Sequence, residues 1–388
     1  MRGKLPPVLF MADHFGYADG VAHGVTTYFL HILPALVQQG IDLKAVFLRE
    51  PHPAAAGLVA HGITPIFMSA HKWDPTVAFK VAAIARAHGA KVVHASGVKA
   101  TLVGRVVARI VGAEAIVHVH DLDYPTFAVS TLHKVFSRPK DIGLCVSQAV
   151  QDVTEKGYHV ARDRLRVVYN GVRLEHVRNV AADTKQRVRR SANIPLDRIV
   201  VAMVARLYPV KGHKGMLQMM PAIAKGAPNV TLMIVGDGPE RADLETMVDQ
   251  LKLRAHVVFV GHRNDVPDML AAADLAVMPS LSEGLGVAAI EALAAGKPVV
   301  AFDTGGLREV VTDGADGRVV KAGDHAAFSE AVISLAQDPQ RIRVWGDRGA
   351  ALAERFSVEA HVTRLVQCYE ESANSSSTPP LAFETPTS

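Results

Sequence analysis

Short apolar runs recur along the whole chain, separated by longer stretches whose apolar side chains return every third or fourth position. Strand-like runs alternating with helical periods predict parallel strands joined by crossover helices, an α/β arrangement. A first series of strands is expected at 8–12, 43–48, 65–68, 91–94, 115–120, 142–146 and 165–168. A second is expected at 199–205, 230–235, 257–260, 275–278, 298–301 and 317–320. A helical period covers 25–39, with Pro34 inside it as an expected kink. The stretch 171–196 breaks the alternation; it holds Lys185, Arg187, Arg189 and Arg190 and ends just after Pro195, as an interdomain connection would. The two series predict two Rossmann-like domains, at 1–180 and 197–355. Val358, Val362, Leu365, Val366 and Tyr369 share one face of a helix expected at 357–372. The Ser-, Thr- and Pro-rich 373–388 reads as a disordered tail.

Composition narrows the class. A chain of 388 residues is too long for one ordinary core. Hydrophobic residues make up 49% and charged residues 21%, which suits a well-packed soluble protein. The apolar run before Asp13 is short and reads as a first strand rather than a signal peptide. No uncharged apolar stretch reaches the roughly 18 residues that suggest a membrane span. Cys145 and Cys368 stand far apart, which argues against a disulfide framework or zinc site and for a reducing cytoplasm.

Charge is distributed unevenly. Residues 1–196 carry 24 Lys and Arg against 14 Asp and Glu, a balance of +10; residues 197–388 carry 18 against 24, a balance of −6. The basic half suits an anionic partner. Nucleic acid is not expected, because no aromatic-interleaved basic stripe accompanies the charge. An anionic membrane surface bearing a lipid acceptor fits better. Segment 131–140 mixes Lys134, Arg138 and Lys140 with Leu132, Val135 and Phe136, as an interfacial patch would; an ordinary solvated surface has the same composition.

The candidate chemistry concentrates between Ser282 and Val300. Glu283 and Glu291 stand eight positions apart around Gly284-Leu285-Gly286-Val287, and Gly296-Lys297-Pro298 leads into an apolar strand. Small residues let a ligand approach the backbone. A helix starting near Gly286 would aim free N–H groups and a positive dipole end at the turn. Carboxylates on either side would accept hydrogen bonds from hydroxyls. A nucleotide sugar, with hydroxyls at both ends and a diphosphate between, fits that layout. Arg206 and Lys211 follow the first strand of the second series, where open α/β sheets bind ligands.

This segment resembles the Glu-x7-Glu signature of retaining glycosyltransferases with the GT-B fold, of the family 4 type, and the likeness extends from the glycine loop at 20–25 to the helix ending near 372. The resemblance implies two Rossmann-like domains, the first taking the acceptor and the second the donor, with the last helix crossing back to the first. It implies that Glu291 holds ribose hydroxyls, that Glu283 holds the donor sugar, and that the backbone of Gly284, Leu285, Gly286 and Val287 faces phosphate or sugar. Leu285 stands where the family usually has Phe. Arg206 and Lys211 would neutralise the leaving diphosphate in place of a metal ion, so no cofactor is expected beyond the nucleotide sugar, a UDP-sugar by preference. Gly261 would contact the base, and Arg263 is a candidate to stack on it or to lie exposed. Gly24 in the loop 19–25 would approach the diphosphate, although His23 replaces a usual glycine. His120 and Asp121 would face the donor from the acceptor domain.

Other readings are weaker. Gly236-Asp237-Gly238 has no third glycine for a dinucleotide fingerprint and meets Pro239. Asp121-Leu122-Asp123 is formally the metal motif of a different transferase fold. A non-catalytic nucleotide-sugar-binding subunit, or a sucrose- or trehalose-type synthase, would use the same residues. Cytoplasmic placement, peripheral on the inner face of the membrane, completes the expectation.

Overall fold

The computed structural model describes residues 5–16, 24–71 and 74–373. Residues 19–23 of the expected glycine loop, His23 among them, lie outside these, as does the tail beyond Ala373. The chain divides into two compact units, one comprising 1–169 with 361–388 and the other 170–360.

The first unit is built on a parallel sheet of β1 (Val8–Ala12), β2 (Leu43–Phe47), β3 (Ile66–Phe67), β4 (Val92–Ser96), β5 (Glu114–Val119), β6 (Ile142–Cys145) and β7 (Leu165–Val167), in the order β3-β2-β1-β4-β5-β6-β7. The second carries β8 (Ile199–Val204), β9 (Val230–Val235), β10 (Val257–Gly261), β11 (Leu275–Met278), β12 (Val299–Phe302) and β13 (Gly317–Val320), in the order β10-β9-β8-β11-β12-β13. Every strand pair is parallel. The central strands β1, β4, β9 and β11 are buried throughout, as a sheet covered on both faces requires. Strand order reverses between β1 and β4 in one sheet and between β8 and β11 in the other. At such switch points neighbouring crossovers diverge and leave a crevice at the strands' carboxyl ends.

The expected interdomain connection at 171–196 is a correction. The division falls at Tyr169–Asn170, and the segment packs into the second unit as helices Leu174–Arg178 and Thr184–Ser191. Arg189 is its buried anchor. The guanidinium donates to the carbonyls of Ala272, Leu196 and Arg198 and to Asp274 at 2.7 Å. Lys185 pairs with Asp274, and Arg187 with Asp268. The cationic run that reads as part of an interdomain connection is therefore the polar seam of a packed helix. The second unit also extends to Ala360, past the expected limit of 355.

Terminal helix Val358–Ala373 passes into the first unit at His361. It docks there through imidazoles and phenols. His361 Nδ1 lies 2.6 Å from the Tyr169 carbonyl, which only accepts, so Nδ1 carries the proton and Nε2 accepts from Tyr28 Oη at 3.0 Å. Tyr369 Oη meets His94 Nδ1 at 2.7 Å, and His94 Nε2 meets His118 Nδ1 at 3.0 Å. Arg166 and Glu371 add an ion pair.

Burial holds these imidazoles neutral, with His94 pushed down to about 3 and His361 to about 4 from an ordinary 6.5. The unfolded chain therefore binds more protons than the folded chain below pH 6.5. Stability is lost as pH falls through that window, by about 1.4 kcal/mol per pH unit for each imidazole kept neutral. Urea unfolding followed by circular dichroism should show a lower midpoint at pH 5.0 than at pH 7.5. His361→Gln should flatten the difference; a midpoint independent of pH would refute the neutral-histidine dock.

Candidate functional site

The loops at the carboxyl ends of β8 and β11 meet across the second unit's switch point. After β8 the chain runs through Ala205, Arg206, Leu207 and Tyr208 into a single turn, Pro209–Lys211. Gly212 follows at φ +78°, and a Cβ there would lie 1.9 Å from the Pro279 carbonyl oxygen. Only glycine lets the two loops come so close. Leu281 N–H donates to the Val210 carbonyl at 2.8 Å and ties them further.

In that contact Lys211 Nζ lies 2.6 Å from Glu283 Oε1, and Ser280 Oγ donates to the same oxygen at 3.0 Å. Both charged side chains are largely buried, and Ser280 is fully so. Ser280 is itself placed by Thr304, whose hydroxyl donates to its carbonyl, while Gly306 N–H donates to the Glu283 carbonyl. Arg206 is exposed, with its guanidinium 4.9 Å from the centre of the Tyr208 ring.

Gly286, at φ +94°, opens the helix Val287–Ala294, and no side chain caps that end. Ala289 N–H already donates to the Gly286 carbonyl at 2.9 Å, so the amides left with donor capacity at this end are those of Val287 and Ala288. A Cβ on Gly286 would meet Leu307 at 2.5 Å. Gly284 precedes it, Val287 is exposed, and Leu285 turns its side chain into the core. The leucine therefore acts on any ligand through its backbone. Glu291 sits in the second turn of this helix, partly buried. Burial alone pushes its carboxyl up to about 7, and no protein group hydrogen-bonds it among the described residues.

A second layer of loops supports the first. A Cβ on Gly236 would lie 2.0 Å from the Ala205 carbonyl oxygen, and one on Gly238 would lie 2.6 Å from that of Leu207. Leu207 N–H donates to Asp237 O, and Gly236 N–H donates to Gly261 O at 2.8 Å. Gly236 and Gly238 thus serve close backbone packing. Gly261, at φ +75°, ends β10 beside that loop. Arg263 is engaged by Asp265 through two hydrogen bonds, at 2.8 and 2.6 Å.

On the first unit, His120 directly follows β5, with its ring 4.0 Å from that of His118 and 5.4 Å from that of Tyr28. Burial first, then His361, pushes it down to about 3, and its Nε2 is buried without a hydrogen-bond partner. Asp121 is exposed and accepts from Asp123 N–H at 3.2 Å. Gly24 is the exposed first residue of the helix Gly24–Gln38, and a Cβ there would meet nothing within 4 Å. No group of three or more His, Cys, Asp or Glu side chains among the described residues could hold a metal ion.

Two participants escaped the sequence reading. Asp13, at the end of β1, accepts from the amides of Lys99 and Ala100 and so fills the N-terminus of the helix Val98–Val111. His213, buried beneath Lys211, is pushed down to about 4 by burial and then by Lys211. Neither sits in a local motif. Only the strand order brings Asp13 to Gly97, where a Cβ would lie 2.8 Å from the Asp13 carboxyl.

Residues 22–176 match the family model described as Glycosyltransferase Family 4, and residues 184–351 match that of Glycosyl transferases group 1. The chain belongs to the family 4 glycosyltransferases. Its two-sheet architecture is the GT-B fold. Anabaena HepE, crystallised with UDP, superposes with a TM-score of 0.81 at 22% identity over 94% of this chain and 100% of its own. A glycosyltransferase of Rickettsia africae gives 0.84 at 16% identity over 96% and 100%. Among curated relatives, the putative glycosyltransferase EpsD of Bacillus subtilis is 31% identical over 199 residues, 51% of this chain and 52% of that protein. A GDP-mannose-dependent α-(1-6)-phosphatidylinositol monomannoside mannosyltransferase of Mycolicibacterium smegmatis is 35% identical over 198 residues, 45% and 52%. The chain spans about half the length of the curated relatives it matches.

The raised carboxyl of Glu291 has a measurable consequence in this glycosyltransferase. The folded state holds that proton up to about pH 7, whereas the ordinary value is 4.5. Stability therefore falls as pH rises through this window, by up to about 3 kcal/mol relative to a neutral side chain. Glu291→Gln should be more stable than the parent at pH 8 and close to it at pH 4.5, in denaturant melts without ligand. A difference that does not vary with pH would show that the carboxyl ionises normally.

Proposed function

We propose that this protein transfers a sugar from a nucleotide-diphosphate donor, a UDP-sugar by preference, to a hydroxyl of a glycan, glycolipid or small-molecule acceptor. We take the transfer to retain anomeric configuration and to need no divalent metal. The Lys211–Glu283 pair at the switch point, beside the uncapped helix end at Gly286, carries this reading. HepE, crystallised with UDP and with UDP-glucose, favours uracil.

The chemistry follows from charge. Breaking the bond between the anomeric carbon and the diphosphate oxygen leaves negative charge on the phosphate. Lys211, Arg206 and the amides of the helix Val287–Ala294 stabilise that charge as it develops. Glu283 accepts hydrogen bonds from donor-sugar hydroxyls, and Glu291 from ribose. Gly261 offers backbone to the base, and Arg263 would have to leave Asp265 to stack on it. The acceptor oxygen forms its bond on the face the leaving group departs from, and its proton passes to the departing phosphate oxygen. The first unit holds the acceptor, with His120 and Asp121 as donor-facing groups and Gly24 near the diphosphate. We place the protein in the cytoplasm, on an anionic membrane face; no helix among the described residues is long and apolar enough to cross a membrane.

The test uses UDP-, GDP-, ADP- and TDP-sugars, with and without EDTA. A cognate donor at one hundred times its Kd should stabilise the protein by about 2.7 kcal/mol, and Glu291→Ala should lose this shift. Donor should be consumed, slowly by water without acceptor, and Lys211→Ala should lower turnover by about 10²–10³. Binding without consumption would make the protein a binding subunit. Loss of activity in EDTA would overturn the metal-independent step.

A further inference from the structure

Three buried rings of the first unit stand in one hydrogen-bonded line. Tyr369 Oη, on the terminal helix, meets His94 Nδ1 at 2.7 Å, and His94 Nε2 meets His118 Nδ1 at 3.0 Å. Tyr369 and His94 are wholly buried, and His118 is 1% exposed. Burial keeps both imidazoles uncharged, so each carries a single ring proton.

The line has a direction. If His94 donated from Nδ1, the Tyr369 hydroxyl would leave its own proton buried and unbonded, which folded proteins rarely tolerate. Tyr369 therefore donates to His94 Nδ1. His94 then carries its proton on Nε2 and donates to His118 Nδ1. His118 in turn carries its proton on Nε2. That N–H is buried and has no protein partner among the described residues.

The line thus ends as a donor beside His120. The His120 ring lies 4.0 Å from that of His118, and its Nε2 is likewise buried without a protein partner among the described residues. The neighbouring polar groups are committed elsewhere. Tyr28 gives its hydroxyl proton to His361 Nε2 and meets the His120 ring edge to face, while His361 Nδ1 donates to the Tyr169 carbonyl. Two adjoining rings therefore hold two orphan nitrogens, and one of them is a donor. A single oxygen that accepts from His118 and donates to His120 satisfies both. Both nitrogens are closed to solvent, so a buried water fits there and a substrate hydroxyl does not.

We infer that Tyr369, His94 and His118 form a one-way relay which, through a water held between His118 Nε2 and His120 Nε2, fixes His120 with its proton on Nδ1. The three are positioning residues, and the terminal helix supplies the first donor. Resting on the transferase reading, His120 then meets the sugar donor as a hydrogen-bond donor through Nδ1 and takes no proton from the acceptor.

The test is the two-bond nitrogen–proton spectrum of the histidine rings in the nitrogen-15-labelled full chain, which separates the two neutral tautomers from the cation. Loss of signals in His94→Gln, His118→Gln and His120→Gln assigns them. At neutral pH His94 and His118 should carry the proton on Nε2 and His120 on Nδ1. A proton on His118 Nδ1, or on His120 Nε2, would overturn the relay, and this needs only the parent's spectrum. Tyr369→Phe keeps the ring and removes the first donor. It should turn His94 and His118 into tautomer mixtures and lower kcat about 2–10-fold, the worth of one neutral hydrogen bond, at unchanged KM for the nucleotide sugar. The sugar used is whichever of the UDP-, GDP-, ADP- and TDP-sugars gives the largest thermal shift. A Tyr369→Phe protein that melts earlier but keeps the parent's tautomers and kcat would overturn the positioning role, since the tyrosine would then serve stability alone. A parent with the three expected tautomers that neither binds nor consumes any of these sugars would remove the transferase reading and leave the relay standing.

Discussion

The ion pair between Lys211 and Glu283 is the contact around which the second unit's carboxyl edge is arranged. Strands β8 and β11 are neighbours in the sheet, yet their crossover connections leave in opposite directions. Nothing in the sheet ladder itself holds the two following loops together. The salt bridge does, with Ser280 on the same carboxylate oxygen and the glycine at 212 permitting contact at the Pro279 carbonyl. Partial burial strengthens the attraction, because little water screens it. A diphosphate arriving at Lys211 and a sugar hydroxyl arriving at Glu283 would replace a hydrogen bond that each group already makes, so neither group has to be desolvated afresh.

The loops behind that pair form one backbone-packed layer. Gly236 and Gly238 press on the carbonyls of Ala205 and Leu207, and Gly261 accepts from Gly236. These contacts are made by main chain, whose position has little rotamer freedom. Arg206 and the donor loop are thereby fixed by neighbours that bring no side-chain chemistry of their own. This is why the glycines of that region fail as a dinucleotide fingerprint and still matter: they serve packing between loops.

Features whose partners lie nearby in sequence were legible from the chain alone. The strand series, the parallel α/β class, the carboxylates around Gly284–Gly286 and the cations after β8 all depend on local pattern and on the rule that sites lie at carboxyl ends. Features whose partners are distant were not legible. Arg189 reads as part of a solvated basic run until Asp274, eighty-five positions away, comes beside it. The apolar stripe of the terminal helix was visible, but its hydrogen bonds to Tyr28 and His94 were not, since those residues sit some three hundred positions earlier.

The two sheets share a topology, and each has a helix starting at its switch point, after β4 in one and after β11 in the other. They differ in what meets that helix. In the first unit Asp13 already places a carboxylate on the amides of Lys99 and Ala100, so the chain carries there a built-in substitute for an anion. In the second unit Gly286 leaves the corresponding end uncapped by any side chain. One aspartate thus breaks the likeness between two otherwise similar halves. At one helix end a carboxylate of the chain already occupies the amides, and at the other no side chain does, so the two halves present different chemistry at matching places.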